Sequence, residues 1–450
     1  MGGPPDGEDR AAPAGIPIAR RAERVIPPPF AQLKERYRDL LAAPDAIDLS
    51  QAVPSYDPPE VAVEALAAAA RRADSHRYTP DPGLPECRDA VAAYLRRRHH
   101  ARVDAKHVLL TPGANAAFHF AANVLFDPGD RVALLSPYYF NHAMSIGLLG
   151  GTVVEIPWTA PASPAEILDR ASAAGARLLV LVTPGNPTGR MLPADGLAAI
   201  VSGARERGLP VVVDETYLEF PANGASVTAL ALEGWEENVV VLGTFSKSLA
   251  VTGHRVGYVC AGERLFQEVL KVQDAAAICA PRLGQIAVAA TLAWPGLDDW
   301  LESRRLEVEG RLAAFAEALA AAAGPFSIEC QGAFFAWLRW SGLGRKDEVP
   351  DGACGRSAPS GAAGAAGTAG PHGAARPSGP ARLSRSAGSA GPPGSSGAAV
   401  ADRLMRERRV LVLSGETAGG EGRARLRVAV GNAGPDRLRA AAGRIQSLPM

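Results

Sequence analysis

Residues 238–258 read NVVVLGTFSKSLAVTGHRVGY, and the fold of this stretch decides how the remainder is read. Residues 239–243 form a short unbroken apolar run, the pattern of a strand covered on both faces. Thr244, Phe245, Ser246, Lys247 and Ser248 follow where that strand ends. A lysine is therefore presented at the carboxyl end of a buried strand, where open α/β sheets bind their ligands. Arg255 lies further on, past Gly253, and another apolar run starts at Tyr258. Taken alone, a lysine after a strand also fits an ordinary solvated side chain, so the flanking segments have to decide.

Outward from this stretch, apolar runs alternate with helical patterns from residue 108 to 260. Strands are expected at 108–111, 131–135, 152–156, 178–182 and 211–213, with helices at 114–126, 164–175 and 193–207 between them. This alternation predicts an α/β fold, a mostly parallel sheet with helices on both faces, over residues 76–300. Residues 263–274 read as a helix and 282–323 as a second, long one that bridges to a smaller α+β unit. That unit is expected to be formed by 301–344 and 399–450 with help from 25–75. Its strands fall at 327–329, 333–339 and 410–413, its helix at 400–408, and an amphipathic helix is expected at 30–41. Residues 1–24 and 345–398 are rich in Gly, Ala, Pro and Ser without apolar periodicity. They read as a disordered lead and a disordered insertion, since such segments cannot bury enough surface to offset ordering entropy.

Composition narrows the function. Lys plus Arg and Asp plus Glu are 47 each, so no basic footprint points to nucleic acid. The 5 cysteines lack C-x-x-C spacing, which argues against a zinc site or a disulfide framework and fits a reducing cytoplasm. No apolar run reaches the roughly 18 residues of a membrane span. A small-molecule partner is expected, and no metal, nucleic acid or membrane.

Several strand ends carry chemistry-bearing residues. Residues 108–117, VLLTPGANAA, read as strand, small-residue turn and helix, so the unpaired amides at the helix N-terminus offer a ready anion site. The strand at 131–135 leads to Ser136-Pro137-Tyr138-Tyr139. TPGNPTG at 183–189 is a turn fixed by two prolines and two glycines, with Asn186 its one carboxamide side chain, which both donates and accepts. Asp214, at the end of 211–213, is costly in a buried position without a cationic partner. Tyr217 follows three residues later. Each has a plainer reading as a cap, turn or core residue.

Together these segments, in this order, resemble the class I/II aminotransferases, the fold-type I pyridoxal phosphate enzymes. The resemblance implies that Lys247 forms a Schiff base with the cofactor aldehyde. Thr244, Ser246, Arg255, Ala114 and Asn115 would hold the phosphate, and Tyr139 would stack on the pyridine ring. Asp214 would meet the ring nitrogen, while Asn186 and Tyr217 would meet the phenolic oxygen. Lys247, Asp214 and Tyr217 are then the catalytic set. Y-x-P-x-x-G-x-x-x-x-R at 78–88 resembles the segment whose tyrosine, Tyr78, reaches a neighbouring subunit's phosphate, implying a homodimer. RLRVAVG at 425–431 resembles the strand whose arginine binds the substrate α-carboxylate, with Arg427 in better register than Arg425 on the same strand face. Arg282 could face a side-chain carboxylate or the dimer interface. Residues 47–56 resemble the segment that passes over the substrate, but carry Ala52-Val53-Pro54 in place of Gly-x-Pro. The loop 414–419 lacks the aromatic often found there, which would enlarge the side-chain pocket. The implied activity is transfer of an amino group between an amino acid and a 2-oxo acid. The alternatives are a lyase, a cyclising synthase or an oxidase on the same scaffold, and a cofactor-binding regulator.

Overall fold

The computed structural model describes residues 16–158, 162–221, 227–341 and 396–449. The expectations for residues 1–15 of the lead and for residues 345–395 of the insertion lie outside the described residues. Within the remainder of the expected lead, Arg20–Arg24 is a short helix with no buried residue. The helix expected from residue 400 begins earlier, as Gly397–Arg408, because Ser396 caps it by accepting from the Ala399 amide.

A seven-stranded sheet runs in the order Val108–Thr111, Gly257–Cys260, Val239–Thr244, Val211–Asp214, Ala176–Val182, Arg131–Ser136, Thr152–Pro157. All neighbouring pairs are parallel except the two made by Gly257–Cys260. Alternate strand residues face opposite sides. Leu110, Leu179, Val211, Val213, Val239 and Val241 join one core with Val91 and Leu95 of Pro85–His99 and Ile200 of Ala194–Glu206. Leu109, Leu178, Val180, Val212, Val240 and Leu242 join another with Phe118 of Ala114–Leu125 and Phe266 of Glu263–Ala277. Burial on both faces accounts for the unbroken apolar runs, each Val or Leu contributing about 1.5–3 kcal/mol. Register brings the functional turns to one edge. Val182 pairs with Asp214 and Asp214 with Leu242, so the turns after all three strands open on the same side.

The smaller sheet is antiparallel, in the order Leu413–Ser414, Arg425–Ala429, Phe335–Trp340, Phe326–Gly332. Its core includes Leu312 and Phe315 of Leu297–Ala321 and Leu438 and Ile445 of Pro435–Gln446. Ile47–Asp48 pairs in parallel with Val410–Leu411, while Glu60–Ala69 packs on Arg282–Leu292.

Three expected elements are corrected. The long helix is two, Arg282–Leu292 and Leu297–Ala321, because Pro295 lacks the N–H a continuing helix needs and its ring clashes with the preceding turn. The helix at 30–41 is Pro29–Arg36 followed by Arg38–Leu41. Between them Tyr37 leaves helical geometry at φ −114°, ψ 20°, buried with its hydroxyl donating to Asp402 Oδ1 at 2.5 Å. The strand at 410–413 splits in two, Val410–Leu411 forming a separate two-stranded sheet with Ile47–Asp48 and Leu413–Ser414 joining the smaller sheet beside Arg425–Ala429. Among the described residues no helix is long and apolar enough to cross a membrane.

Candidate active site

Beyond the carboxyl edge of the large sheet lies a cavity of about 310 Å³, and Lys247, Arg255 and Arg427 are the cations on its wall. Lys247 sits in the short helix Phe245–Ser248 that starts where Val239–Thr244 ends. Thr244 turns the chain there: its hydroxyl accepts from the Ser246 amide and donates to the Val256 carbonyl at 2.9 Å. The Lys247 ammonium donates to the backbone carbonyl of Ala52, and the Tyr56 hydroxyl donates to the Lys247 carbonyl at 2.9 Å. Burial, then the positive charges of Arg427 and Arg255, lower the Lys247 pKa to about 8. A lysine so placed gives up its proton near neutral pH.

At one end, Arg255 lies against the N-terminus of Ala114–Leu125. Its Nη1 donates to the Thr252 carbonyl at 3.0 Å and its Nη2 to the Pro112 carbonyl at 3.1 Å. Gly113 has φ +88°, and a Cβ there would lie 2.4 Å from Arg255 Nη2. A Cβ on Gly257 would lie 2.8 Å from the Ala114 amide nitrogen. Glycine at both positions keeps a cradle clear between the guanidinium, the free amides of the helix start and the Ser246 hydroxyl. The arrangement suits an anion with several acceptor oxygens.

In the middle stands Asp214, whose Oδ1 accepts from the Thr216 amide at 2.9 Å and whose Oδ2 is 3.1 Å from His142 Nε2. Burial pushes the Asp214 pKa up, but the hydrogen bonds from His142 and Thr216 outweigh it and hold the carboxyl below its usual range. The His142 ring lies 4.1 Å from Phe118, tilted by 34°, and edge-on to Tyr139 at 5.3 Å. The Tyr139 hydroxyl accepts from Asn141 Nδ2 at 2.7 Å and faces Asn115 Oδ1 at 3.4 Å. Tyr217 is buried against Phe334 and Phe335, at 5.6 and 5.1 Å, and burial pushes its hydroxyl pKa up.

Arg427 occupies the other end, 1% exposed. Its Nη1 donates to Asn186 Oδ1 at 2.8 Å, and its Nη2 to the Ser50 carbonyl. Two rings flank the guanidinium, Phe335 at 5.0 Å and Phe30 at 5.4 Å. Burial lowers its pKa to about 10, which leaves it charged at neutral pH. Nε is buried without a hydrogen-bond partner, so the group retains donor capacity. Arg425 is engaged elsewhere, donating to both carboxylate oxygens of Glu329 at 2.7 and 3.1 Å.

The cavity thus brings together Ala114, Asn115, Tyr139, Asn186, Asp214, Tyr217, Thr244, Ser246, Lys247, Arg255 and Arg427. Tyr78 is not among them; it is 74% exposed, and its carbonyl accepts from Arg282 Nη1 at 3.2 Å. Arg282 is also paired with Asp74 at 3.4 Å and does not line the cavity. Sequence reading missed Phe30 and the Ser50 and Ala52 carbonyls and assigned no role to His142. For His142 the available signal was its place one helical turn after Tyr139.

The family description "Aminotransferase class I and II" matches residues 44–445. The valine–pyruvate aminotransferase of Mycobacterium tuberculosis is 35% identical over 277 residues, spanning 60% of this chain and 68% of that protein. The aromatic aminotransferase ISS1 of Arabidopsis thaliana is 31% identical over 277 residues, with the same shares covered. Among solved structures, a double mutant of Thermus thermophilus aspartate aminotransferase superposes with a TM-score of 0.77 at 23% identity. That match covers 96% of this chain and 99% of that one, and at this identity it speaks to the fold.

Proposed function

This chain belongs to the class I and II aminotransferases, and from that premise we propose that it moves an amino group between an amino acid and a 2-oxo acid in the cavity around Lys247, with pyridoxal phosphate as cofactor. The observation that carries this reading is the position of Lys247, its pKa lowered to about 8, between an anion cradle at Arg255 and a buried guanidinium at Arg427. One cation faces each anionic end that a phosphorylated cofactor and an amino acid would bring.

The residues fit that cofactor. Its phosphate would be held by the amides of Ala114 and Asn115, the hydroxyls of Thr244 and Ser246, and Arg255; the Gly113 and Gly257 cradle, which a Cβ would fill, supports this. Tyr139 would form the shelf for the ring, Asp214 would meet its nitrogen, and Asn186 and Tyr217 its phenolic oxygen. The chemistry supplied by bound pyridoxal phosphate is a carbonyl that takes the amino group and a ring that accepts the electrons released at the substrate's Cα.

The chain's own side chains do the rest. Arg427 binds the α-carboxylate in a dry setting, where a charge-assisted pair is strongest. Lys247 anchors the cofactor and then takes and returns the Cα proton; with a pKa near 8, roughly one in ten such amines is neutral at pH 7. A placed acid–base group of this kind contributes about 100- to 10,000-fold. Asp214, kept ionised by His142 and Thr216, favours a protonated ring nitrogen. Tyr78, exposed and away from this cavity, supports a homodimer in which it would reach the neighbouring subunit's phosphate.

Single-turnover chemistry tests the reading. Holoenzyme given one amino acid and no acceptor should release one oxo acid per site and stop, and a second oxo acid should restart it. Continuous turnover without an acceptor would favour the lyase or oxidase alternative.

A further inference from the structure

The turn that carries Asn186 meets the small sheet at three points. One is on the cavity wall, where Asn186 Oδ1 accepts from Arg427 Nη1. The other two lie off that wall. Arg190 bridges the two sheets: its Nη1 donates to the carbonyl of Trp158, just past the edge strand Thr152–Pro157, and its Nε to Cys330 Sγ at 3.1 Å. At Gly189 and Gly332 the two backbones touch. A Cβ on Gly189 would lie 2.3 Å from both the nitrogen and the carbonyl oxygen of Gly332, and a Cβ on Gly332 would lie 2.3 Å from the Gly189 carbonyl oxygen. Backbone atoms cannot swing aside as a side chain does, so a methyl at either position would part the two segments by roughly 1 Å to restore an ordinary contact.

Both sides of this contact are tied to the site. The Gly185 amide donates to the Arg190 carbonyl at 2.7 Å and the Gly189 amide to the Gly185 carbonyl at 2.8 Å, which closes the turn on itself around Asn186. On the small sheet Cys330 pairs with Trp337, and Trp337 with Arg427. The strand end that meets the turn therefore shares one row of the sheet with the arginine. We propose that Gly189 and Gly332 are positioning residues for amino-group transfer: their backbone contact seats the small sheet on the turn and fixes where the Arg427 guanidinium stands relative to Asn186 and Lys247. This rests on the reading that Arg427 takes the α-carboxylate. A charge-assisted pair depends on distance and angle, so parting the joint acts on substrate binding at a residue that touches no substrate.

Gly332 is the cleaner probe, because Gly189 also has φ +71°, where a side chain is strained in any case. The control is Gly324→Ala. A Cβ there would lie 2.3 Å from the Gln446 carbonyl oxygen, an equal clash with backbone, but between the start of Phe326–Gly332 and the helix Pro435–Gln446, off the cavity wall. In the holoenzyme, Gly332→Ala should weaken 3-methylbutanoate, a carboxylate without an amino group, by about 10- to 100-fold in calorimetry, the scale of one charge-assisted hydrogen bond. KM for the amino donor should rise in step while kcat and cofactor affinity each stay within about threefold. Gly324→Ala should lower the thermal midpoint at least as far and leave carboxylate affinity within about twofold. Equal loss of carboxylate affinity in the two variants, or none in Gly332→Ala, would overturn the proposal. Should Gly332→Ala fail to fold, Arg190→Leu loosens the same joint without a clash and should weaken the carboxylate by about three- to tenfold; unchanged affinity there would overturn it as well. If the wild-type holoenzyme binds no carboxylate, Arg427 is not a carboxylate receptor, and the underlying reading falls with the proposal.

Discussion

Replacing Arg427 by lysine should cripple amino acid binding while leaving the cofactor in place. The guanidinium is 1% exposed, and its fork satisfies Asn186 Oδ1 and the Ser50 carbonyl while still presenting donors to a ligand. A lysine offers a point charge that cannot span the same acceptors and grip a carboxylate with two parallel bonds. A hydrogen bond to a charged group is worth about 1.5–3 kcal/mol. At 1.4 kcal/mol per factor of ten, loss of one prong should weaken carboxylate binding roughly 10- to 150-fold. Calorimetry with a simple carboxylate and kcat/KM for the best amino donor should fall together, whereas cofactor affinity, set at the Arg255 end, should stay within about threefold. Arg425→Lys is the control, since that side chain is spent on Glu329. If Arg425→Lys is the damaging change and Arg427→Lys is silent, the carboxylate site lies elsewhere on the strand and the reasoning fails.

Gly113→Ala should weaken cofactor binding by about 10- to 100-fold, measured by equilibrium dialysis, because the new Cβ meets the Arg255 guanidinium and the backbone there has φ +88°. His142→Phe keeps the packing on Phe118 but removes the hydrogen bond to Asp214 Oδ2. The Asp214 pKa should rise, and kcat should drop on the order of tenfold with little change in KM for the amino acid; an unchanged kcat would deny His142 a positioning role. Capture of pyridoxal phosphate by cofactor-free protein needs the neutral amine of Lys247. Its rate should climb with pH and level off above about 8, whereas a climb continuing to pH 10 would indicate an ordinary solvated lysine.

The buried strands were legible because a strand covered on both faces is apolar nearly throughout: all six residues of Val239–Thr244 are buried, and the first five are an unbroken apolar run. Turns such as 183–189 were legible because proline and glycine restrict the backbone locally. Contacts between distant segments were not. Arg427 reaches Asn186 across 241 residues and Ser50 across 377, and no local spacing encodes such a meeting. Phe30 is one apolar residue on an amphipathic helix, and only packing against Phe140 and Arg427 turns it into a cavity wall. The break at Pro295 was readable in principle, since a proline inside a helical pattern is a stop signal. The break at Tyr37 was not, because its cause is a hydroxyl reaching Asp402, 365 residues away.

Lys247 as the covalent anchor is best tested by intact mass after borohydride reduction in the presence of pyridoxal phosphate. The wild-type chain should gain the mass of one reduced cofactor, mapped by peptide digestion to Lys247 and to none of Lys34, Lys106, Lys271 or Lys346. Lys247→Ala should gain nothing, yet still hold the cofactor noncovalently through the residues at 114–115, 139, 214 and 255. A Lys247→Ala chain that is still tagged, or a wild-type chain tagged at another lysine, would contradict the assignment.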